Sequence, residues 1–286
     1  MYNFEDNTII LEDGTVESIL DKEKYPLLEN TNLEDVFFMD TLDDKYREKN
    51  FDYYNFNGLP VPRVSHILKE CIGKEYLMIW AAKLGYKEMI AARNKATTIG
   101  SFVHEMIEHY LLHGEDLDIS YKVSPYYLPQ IMTAYNNFKD WVIYINSLGF
   151  FIEEIIAIEH VVVCPLYGGT VDCILRINGK VYIVDFKTSK QISYEYILQT
   201  CSYMWIINNG YYPNLPYIDG IGIIRIDKEA KKFEDLFLNN HIPEQKNIID
   251  YYINAFSALL SSYYNNINVK QLFSRYKKIY KIEEVL

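Results

Sequence analysis

The sequence predicts an α/β protein, a central mixed β-sheet flanked by helices and preceded by a helical lead-in. Three observations predict it. Residues 65–148 carry apolar residues at helical spacing, interrupted by glycines at candidate helix ends. Residues 151–187 are rich in Val, Ile and Tyr and broken by turn signals, as strands are. A helical run then separates these strands from two further strand-like runs.

Taken in order, residues 8–11 and 15–19 predict a small hairpin about Asp13-Gly14, followed by polar acidic sequence. A first helical region is expected over 65–84, and a second over 98–112 with Gly114 as its C-terminal stop. A third starts near Pro129, with Ile131, Tyr135, Phe138, Val142, Ile145 and Leu148 as its buried stripe and Gly149 as its end. Strands are expected over 151–164, 170–177 and 180–187, then a helix over 193–208 closed near Gly210. Strands over 217–226 and 232–238 and a long helix over 247–264 complete the series. The organisation read from this is an acidic appendage at 1–60, a core at 61–245 and a C-terminal helix with basic tail at 246–286.

Charge supports that division. Residues 1–60 hold 15 Asp/Glu against 5 Lys/Arg, so −10 of the formal net charge of −11 lies there. The remainder is close to neutral, which allows a local basic groove but argues against coating a duplex through many phosphate contacts. The acidic segment is a candidate surface for a protein partner, and taken alone it could act as an inhibitor or a DNA mimic. No apolar run approaches the ~20 residues of a membrane helix, and the start lacks the apolar stretch of a signal peptide. The expected location is the cytoplasm, of a cell or of an infected host. Cysteines 71, 164, 173 and 201 show no metal-type spacing and read as free thiols.

The most informative stretch is GGTVDCILRINGKVYIVDFKTSK, from Gly168 to Lys190. Asn178-Gly179 between two β-rich runs is a two-residue hairpin signal. With those two residues as the loop, Ile177 faces Lys180, Leu175 faces Tyr182, and Asp172 faces Asp185. Two carboxylates so placed repel each other unless a cation bridges them or one stays protonated. Period-two alternation puts Lys187 on the face of Asp185. A divalent ion such as Mg²⁺ or Mn²⁺, held by carboxylates beside a lysine, suits hydrolysis of a phosphodiester. Asp172, Asp185 and Lys187 are therefore the candidate catalytic residues. Gly168 and Gly169 would allow a backbone or a phosphate to approach. The bland alternative is an exposed strand pair with a neighbouring counter-charge, but Asp185 closes an apolar run, where a charge needs a reason.

Other residues join by spacing. His104 and Glu108 share a helix face at i, i+4, as do Gln199 and Tyr203. The run HEMIEH lacks the second histidine of either zinc-protease spacing. Glu159, between apolar neighbours, reads either as a third carboxylate near metal or as a strand-end salt bridge. Gln199, Tyr203, Glu108 and Lys190 are candidates for contact with substrate. The tail residues Lys270, Arg275, Lys277, Lys278 and Lys281 alternate with aromatics, which suits either a solvated amphipathic helix or a nucleic-acid backbone contact.

GxxxHxxxE at Gly100, His104 and Glu108, then GGTVD, DFK and QxxxY, resembles the RecB-type branch of the PD-(D/E)XK nuclease superfamily over roughly residues 61–226. The opening VPRVSHILK and LMIWAAKLG resembles the helical lead-in of phage and mitochondrial-type exonucleases of that branch. The resemblance implies a restriction-endonuclease-like core. It implies His104, Asp172, Asp185 and the Phe186 carbonyl as ligands of Mg²⁺ or Mn²⁺, and Lys187 as the catalytic lysine. Gln199 and Tyr203 would support the substrate. The implied activity is a deoxyribonuclease, an exonuclease working on DNA ends or single strands. The alternative is a nuclease-like fold kept as a non-catalytic nucleic-acid-binding or assembly subunit. Some relatives carry an iron–sulfur cluster on one upstream and three C-terminal cysteines. With no cysteine after Cys201, no cluster is expected.

Overall fold

The computed structural model describes residues 53–73, 79 and 82–279, with the short segments 2–3, 8–10 and 16–18. Most of the acidic appendage thus lies outside the described residues, as does Lys281. Its hairpin is seen in part: β1 (Tyr2–Asn3), β2 (Thr8–Ile10) and β3 (Val16–Ser18) form a small antiparallel sheet in which Ile9 faces Glu17. Two compact units make up the chain, Met1–Ile72 with Val163–Gly169 and Asp250–Leu286, and Gly73–Val162 with Thr170–Ile249. Among the described residues no helix is long and apolar enough to cross a membrane.

In the first unit, β4 (Tyr53–Phe56) and β5 (Leu59–Pro62) form a hairpin that leads into α1 (Val64–Cys71). The helical region expected over 65–84 is therefore interrupted: α1 ends at Cys71, and residues 79 and 82–84 are helical again, with 74–78, 80 and 81 outside the described residues. Ile72 adopts extended backbone after α1 and Gly73 follows, both poor continuations of a helix. The same unit holds the outer length of the last helix, whose Phe256, Leu260, Tyr263 and Tyr264 are buried. Tyr264 donates to the Leu166 carbonyl at 2.6 Å. Arg63 makes an isolated parallel bridge to Gly168, so a protein backbone does approach closely there.

The second unit carries the main sheet. α2 (Tyr86–His113) begins well before the expected position 98, because its first turns are rich in Ala, Lys, Met and Arg, good helix formers in any setting. It ends as expected at Gly114, in the left-handed region. α3 (Leu128–Ser147) buries Ile131, Tyr135, Phe138 and Ile145, and also Trp141, which the expected stripe omits. Leu148 is 54% exposed because it caps the helix instead of continuing it. Then come β6 (Ile152–Val163), β7 (Gly168–Ile177), β8 (Lys180–Lys187), α4 (Tyr194–Ile206), β9 (Gly220–Ile226), β10 (Phe233–Asn239) and α5 (Pro243–Ile279). The backbone of the basic tail is thus helical to residue 279.

The sheet order is β10-β9-β8-β7-β6. β8 and β9 pair in parallel, which requires a crossover, and α4 supplies it. The pairs β7–β8 and β9–β10 are antiparallel, so the sheet is mixed and the protein is α/β. Every residue of β9 is buried, marking it as a central strand. It meets its neighbours closely. A Cβ on Gly222 would stand 2.5 Å from the Phe237 ring, and one on Gly220 would collide with the Leu238 carbonyl oxygen.

One face of the sheet packs on α2 and α3 through Val103, Phe138, Trp141, Leu175, Val184, Phe186 and Ile224. Each fully buried side chain of this size contributes ~1.5–3 kcal/mol of transfer energy. Phe138 meets the Phe186 ring edge-on at 5.5 Å, which fixes the strand end that bears Asp185 and Lys187.

Candidate metal centre and active site

The β7–β8 hairpin sets the register on which the site is built. Asn178 and Gly179 have φ of 46° and 72°, the left-handed pair that this tight turn requires. Ile177 pairs with Lys180, Leu175 with Tyr182 and Cys173 with Val184. The paired ladder ends there, and Asp172 and Asp185 are the next residue on each strand beyond its last pair.

The two carboxylates are not left face to face. Asp172 Oδ2 accepts the Phe186 N–H at 2.8 Å. Asp185 is 3% exposed, and its Oδ1 accepts from Lys187 Nζ at 2.7 Å. Asp185 Oδ2 is buried with no hydrogen-bond partner. Burial pushes the Asp185 carboxyl above the ordinary carboxylate range and the Asp172 charge adds to this, while Lys187 opposes both. Burial also works against the Lys187 ammonium, but the Asp185 and Asp172 charges outweigh it and hold Lys187 above the ordinary lysine value.

α2 brings His104 to the same place. Its buried residues Ile99, Val103, Met106 and Ile107 anchor one side of the helix, leaving Gly100, Ser101, His104, Glu105 and Glu108 along a cleft of about 510 Å³. His104 Nε2 lies 3.0 Å from the Phe186 carbonyl oxygen, which accepts its proton. Nδ1, 3.5 Å from Asp172 Oδ2, is then the nitrogen able to offer a lone pair. The Phe186 carbonyl keeps a second lone pair of its own.

Glu159 completes the group. One ligand atom each from His104, Glu159 and Asp172 lie within 4.8 Å of one another. Of the two sequence alternatives for Glu159, the structure thus places it with His104 and Asp172. Glu159 has φ of 46°, a left-handed backbone inside a long strand, which costs about 1–2 kcal/mol for a residue with a Cβ. Loss of solvation at its carboxyl and the Asp172 and Glu108 charges raise its pKa, with His104 opposing. Asp185 lies outside this trio and is engaged by Lys187.

The remaining candidates sort by position. Gln199 Nε2 donates to Tyr203 Oη at 3.1 Å, so the i, i+4 pair on α4 does point together. Lys187 Nζ sits 5.0 Å from the centre of the Tyr196 ring, a cation–π contact that sequence reasoning missed. The available signal was spacing, since Tyr196 lies one turn before Gln199. Glu108 lines the cleft beside Glu159. Lys190 is exposed on the loop that follows β8. Cys71, Cys164, Cys173 and Cys201 are free thiols.

No family model and no curated protein matches this chain. Among solved structures it is similar to one described as "Crystal structure of SSO0001", at 14% identity, over 58% of this chain and 88% of that one, with a TM-score of 0.25. A likeness at that score carries no weight for fold or function.

Proposed function

We propose that this chain is a metal-dependent phosphodiesterase that hydrolyses DNA, with the PD-(D/E)XK arrangement on a restriction-endonuclease-like core. The observation that carries the proposal is the convergence of His104, Glu159 and Asp172 at one cleft beside the buried Asp185–Lys187 pair. The donor set is carboxylate oxygen with one imidazole, which suits a hard divalent ion, Mg²⁺ or Mn²⁺. Asp185 Oδ2, buried and unpartnered, is an acceptor that such an ion would satisfy. Asp172, Glu159, Asp185 and His104 Nδ1 would hold it, with the Phe186 carbonyl as a further donor. When bound, the ion supplies Lewis acidity and lowers the pKa of water.

The protein's own groups do the rest. The Phe186 carbonyl fixes the His104 tautomer. Lys187 presents a fixed cation where negative charge develops on the phosphoryl oxygens. The Tyr196 ring and Asp185 restrict where that ammonium can go. Gln199 and Tyr203 form a coupled polar pair able to meet the sugar–phosphate backbone. The near-neutral charge of residues 61–286 favours DNA ends or single strands over an enveloped duplex, and so an exonuclease.

The test is digestion of end-labelled single- and double-stranded DNA with Mg²⁺, Mn²⁺ or EDTA, wild type beside Lys187→Ala. Metal-dependent loss of label by wild type alone is expected, and the labelled end that disappears gives the polarity. No cleavage of linear, nicked or flapped DNA by wild type would overturn the proposal.

A further inference from the structure

Beyond the end of β8, hydrogen bonds from one buried side chain tie together two loops that each carry a lysine, and α2, which carries a third, passes beside the first of them. Arg225, 1% exposed, stands in register with Lys187 across the parallel β8–β9 pair. Its Nη1 donates to the Ser189 carbonyl at 3.2 Å and to Asp227 Oδ2 at 3.1 Å. Its Nε donates to Glu234 Oε2 at 3.1 Å. One buried guanidinium thus ties the residue before Lys190 to the residue before Lys228. Asp227 Oδ1 also accepts the N–H groups of Glu229 and Ala230 at 2.8 and 3.1 Å, which fixes the turn that carries Lys228.

α2 reaches the same loop. A Cβ on Gly100 would stand 3.6 Å from Thr188 Oγ1, so helix and loop are in ordinary contact range there. Lys95 lies earlier on that helix. Its Nζ donates to Tyr126 Oη at 3.4 Å and sits 4.6 Å from the centre of that ring, and Tyr126 is 69% exposed.

Two of these cations lack a salt-bridge partner: Lys190 and Lys228 form no ion pair among the described residues, and Lys190 is exposed. Burial holds the Lys228 ammonium below the ordinary lysine value; Glu229 opposes it, Lys95 adds to it, and Asp227 and Lys190 contribute less in the same opposed senses. Of these two acids, Glu229 accepts from Gln130 and Asp227 is held by Arg225. Lys228, with Lys95 and Lys190 each in electrostatic reach of it, stands beside acids engaged by Gln130 and Arg225, and this arrangement suits an anion that arrives from outside.

We propose that Lys95, Lys190 and Lys228 form a track for the phosphates of a nucleic-acid strand running past the scissile bond, with the exposed Tyr126 ring as a stacking face for a base. The proposal rests on the nuclease reading for what happens at Lys187. The track itself is a binding site and can be tested without cleavage.

The experiment is fluorescence anisotropy of a labelled single-stranded oligonucleotide in EDTA across a KCl series. It compares wild type, the three Lys→Gln single variants, the triple Lys→Gln variant and the triple Lys→Arg variant. Each single variant is expected to raise Kd about threefold and the triple more than tenfold. The triple Lys→Gln variant should also flatten the slope of log Kd against log salt by about 2, at ~0.7 for each phosphate no longer neutralised. The Lys→Arg variant should bind like wild type, which separates charge from fold. Unchanged affinity and slope in the triple Lys→Gln variant overturns the track, and so does failure of wild type to bind. Hydrolysis of thymidine 5′-(p-nitrophenyl phosphate), too short to reach the track, is followed in parallel with Mn²⁺. Equal rates in wild type and a Lys95→Gln, Lys228→Gln double variant support a track separate from the chemistry. No hydrolysis by wild type, with the lysine-dependent salt slope intact, counts against the nuclease reading and leaves the track standing.

Discussion

Asp172 accepts the backbone N–H of Phe186, the residue after Asp185, at 2.8 Å. The repulsion expected from the hairpin register is thereby eased, although the Asp172 charge still helps to push the Asp185 carboxyl up. One carboxylate turns onto a backbone donor and the other onto Lys187.

This changes what a substitution at the pair should do. Lys187→Ala leaves a buried carboxylate without its cation and should cost about 3 kcal/mol of metal-free stability, the low end for a broken buried pair because Lys187 is 20% exposed. Asp185→Asn keeps an acceptor for Lys187 and removes a buried charge, so it should stay within about 1 kcal/mol of wild type. Urea denaturation in EDTA measures both. A Lys187→Ala protein as stable as wild type would show that Asp185 does not depend on its lysine.

Divalent ions should stabilise the fold through the trio. Mn²⁺ at a hundredfold excess over its Kd should add about 2.7 kcal/mol to wild type, read as a rise in Tm. His104→Ala, Asp172→Asn and Glu159→Gln should each lose most of that rise. A full rise in all three variants would place the ion elsewhere.

Glu159 allows strain and ligation to be separated. Glu159→Gly removes the Cβ that disfavours a φ of 46° and should gain up to about 1 kcal/mol of metal-free stability, partly offset by the flexibility of glycine in the unfolded chain. Glu159→Gln keeps the strain and should show no such gain. Both should weaken Mn²⁺ binding in calorimetric titration. A destabilised Gly variant would mean that the left-handed backbone there is not the cost inferred.

Asp227 gives the fold a pH dependence. Burial pushes its carboxyl up, but the N–H groups of Glu229 and Ala230 and the Arg225 guanidinium win and hold it below the ordinary value. A depressed folded pKa contributes stability above the unfolded value near 3.9, and that stability is lost as pH falls through the folded value. Asp227→Asn should therefore be less stable than wild type at pH 7, by about 1 kcal/mol, with the gap closing below about pH 4. Denaturation midpoints from pH 7 to pH 2 check it, and a gap that persists at pH 2 would remove titration of Asp227 as its cause.

Much of this was legible in the sequence because it rests on local rules. Asn178-Gly179 fixes a two-residue turn, and that turn sets the register of Asp172 and Asp185 without tertiary information. Gln199 and Tyr203 needed only helical spacing. Glu159 resisted because its place depends on one left-handed residue inside a strand, which no alternation pattern reveals. Arg225 resisted for a different reason. It reads as a charge in an apolar run, and only the parallel partner β8 and the turn at Asp227 explain its burial. The early start of α2 reflects helix propensity in residues 86–97, where no clear apolar periodicity marks the helix.

Gly220 and Gly222 leave no room for a methyl group between β9 and β10. An alanine scan scored only by loss of activity would therefore rank these two glycines alongside Lys187. The glycines would fail because the sheet cannot close, and Lys187 because a charge is missing. Counting soluble, folded protein for every variant is what would tell architecture from chemistry in such a screen.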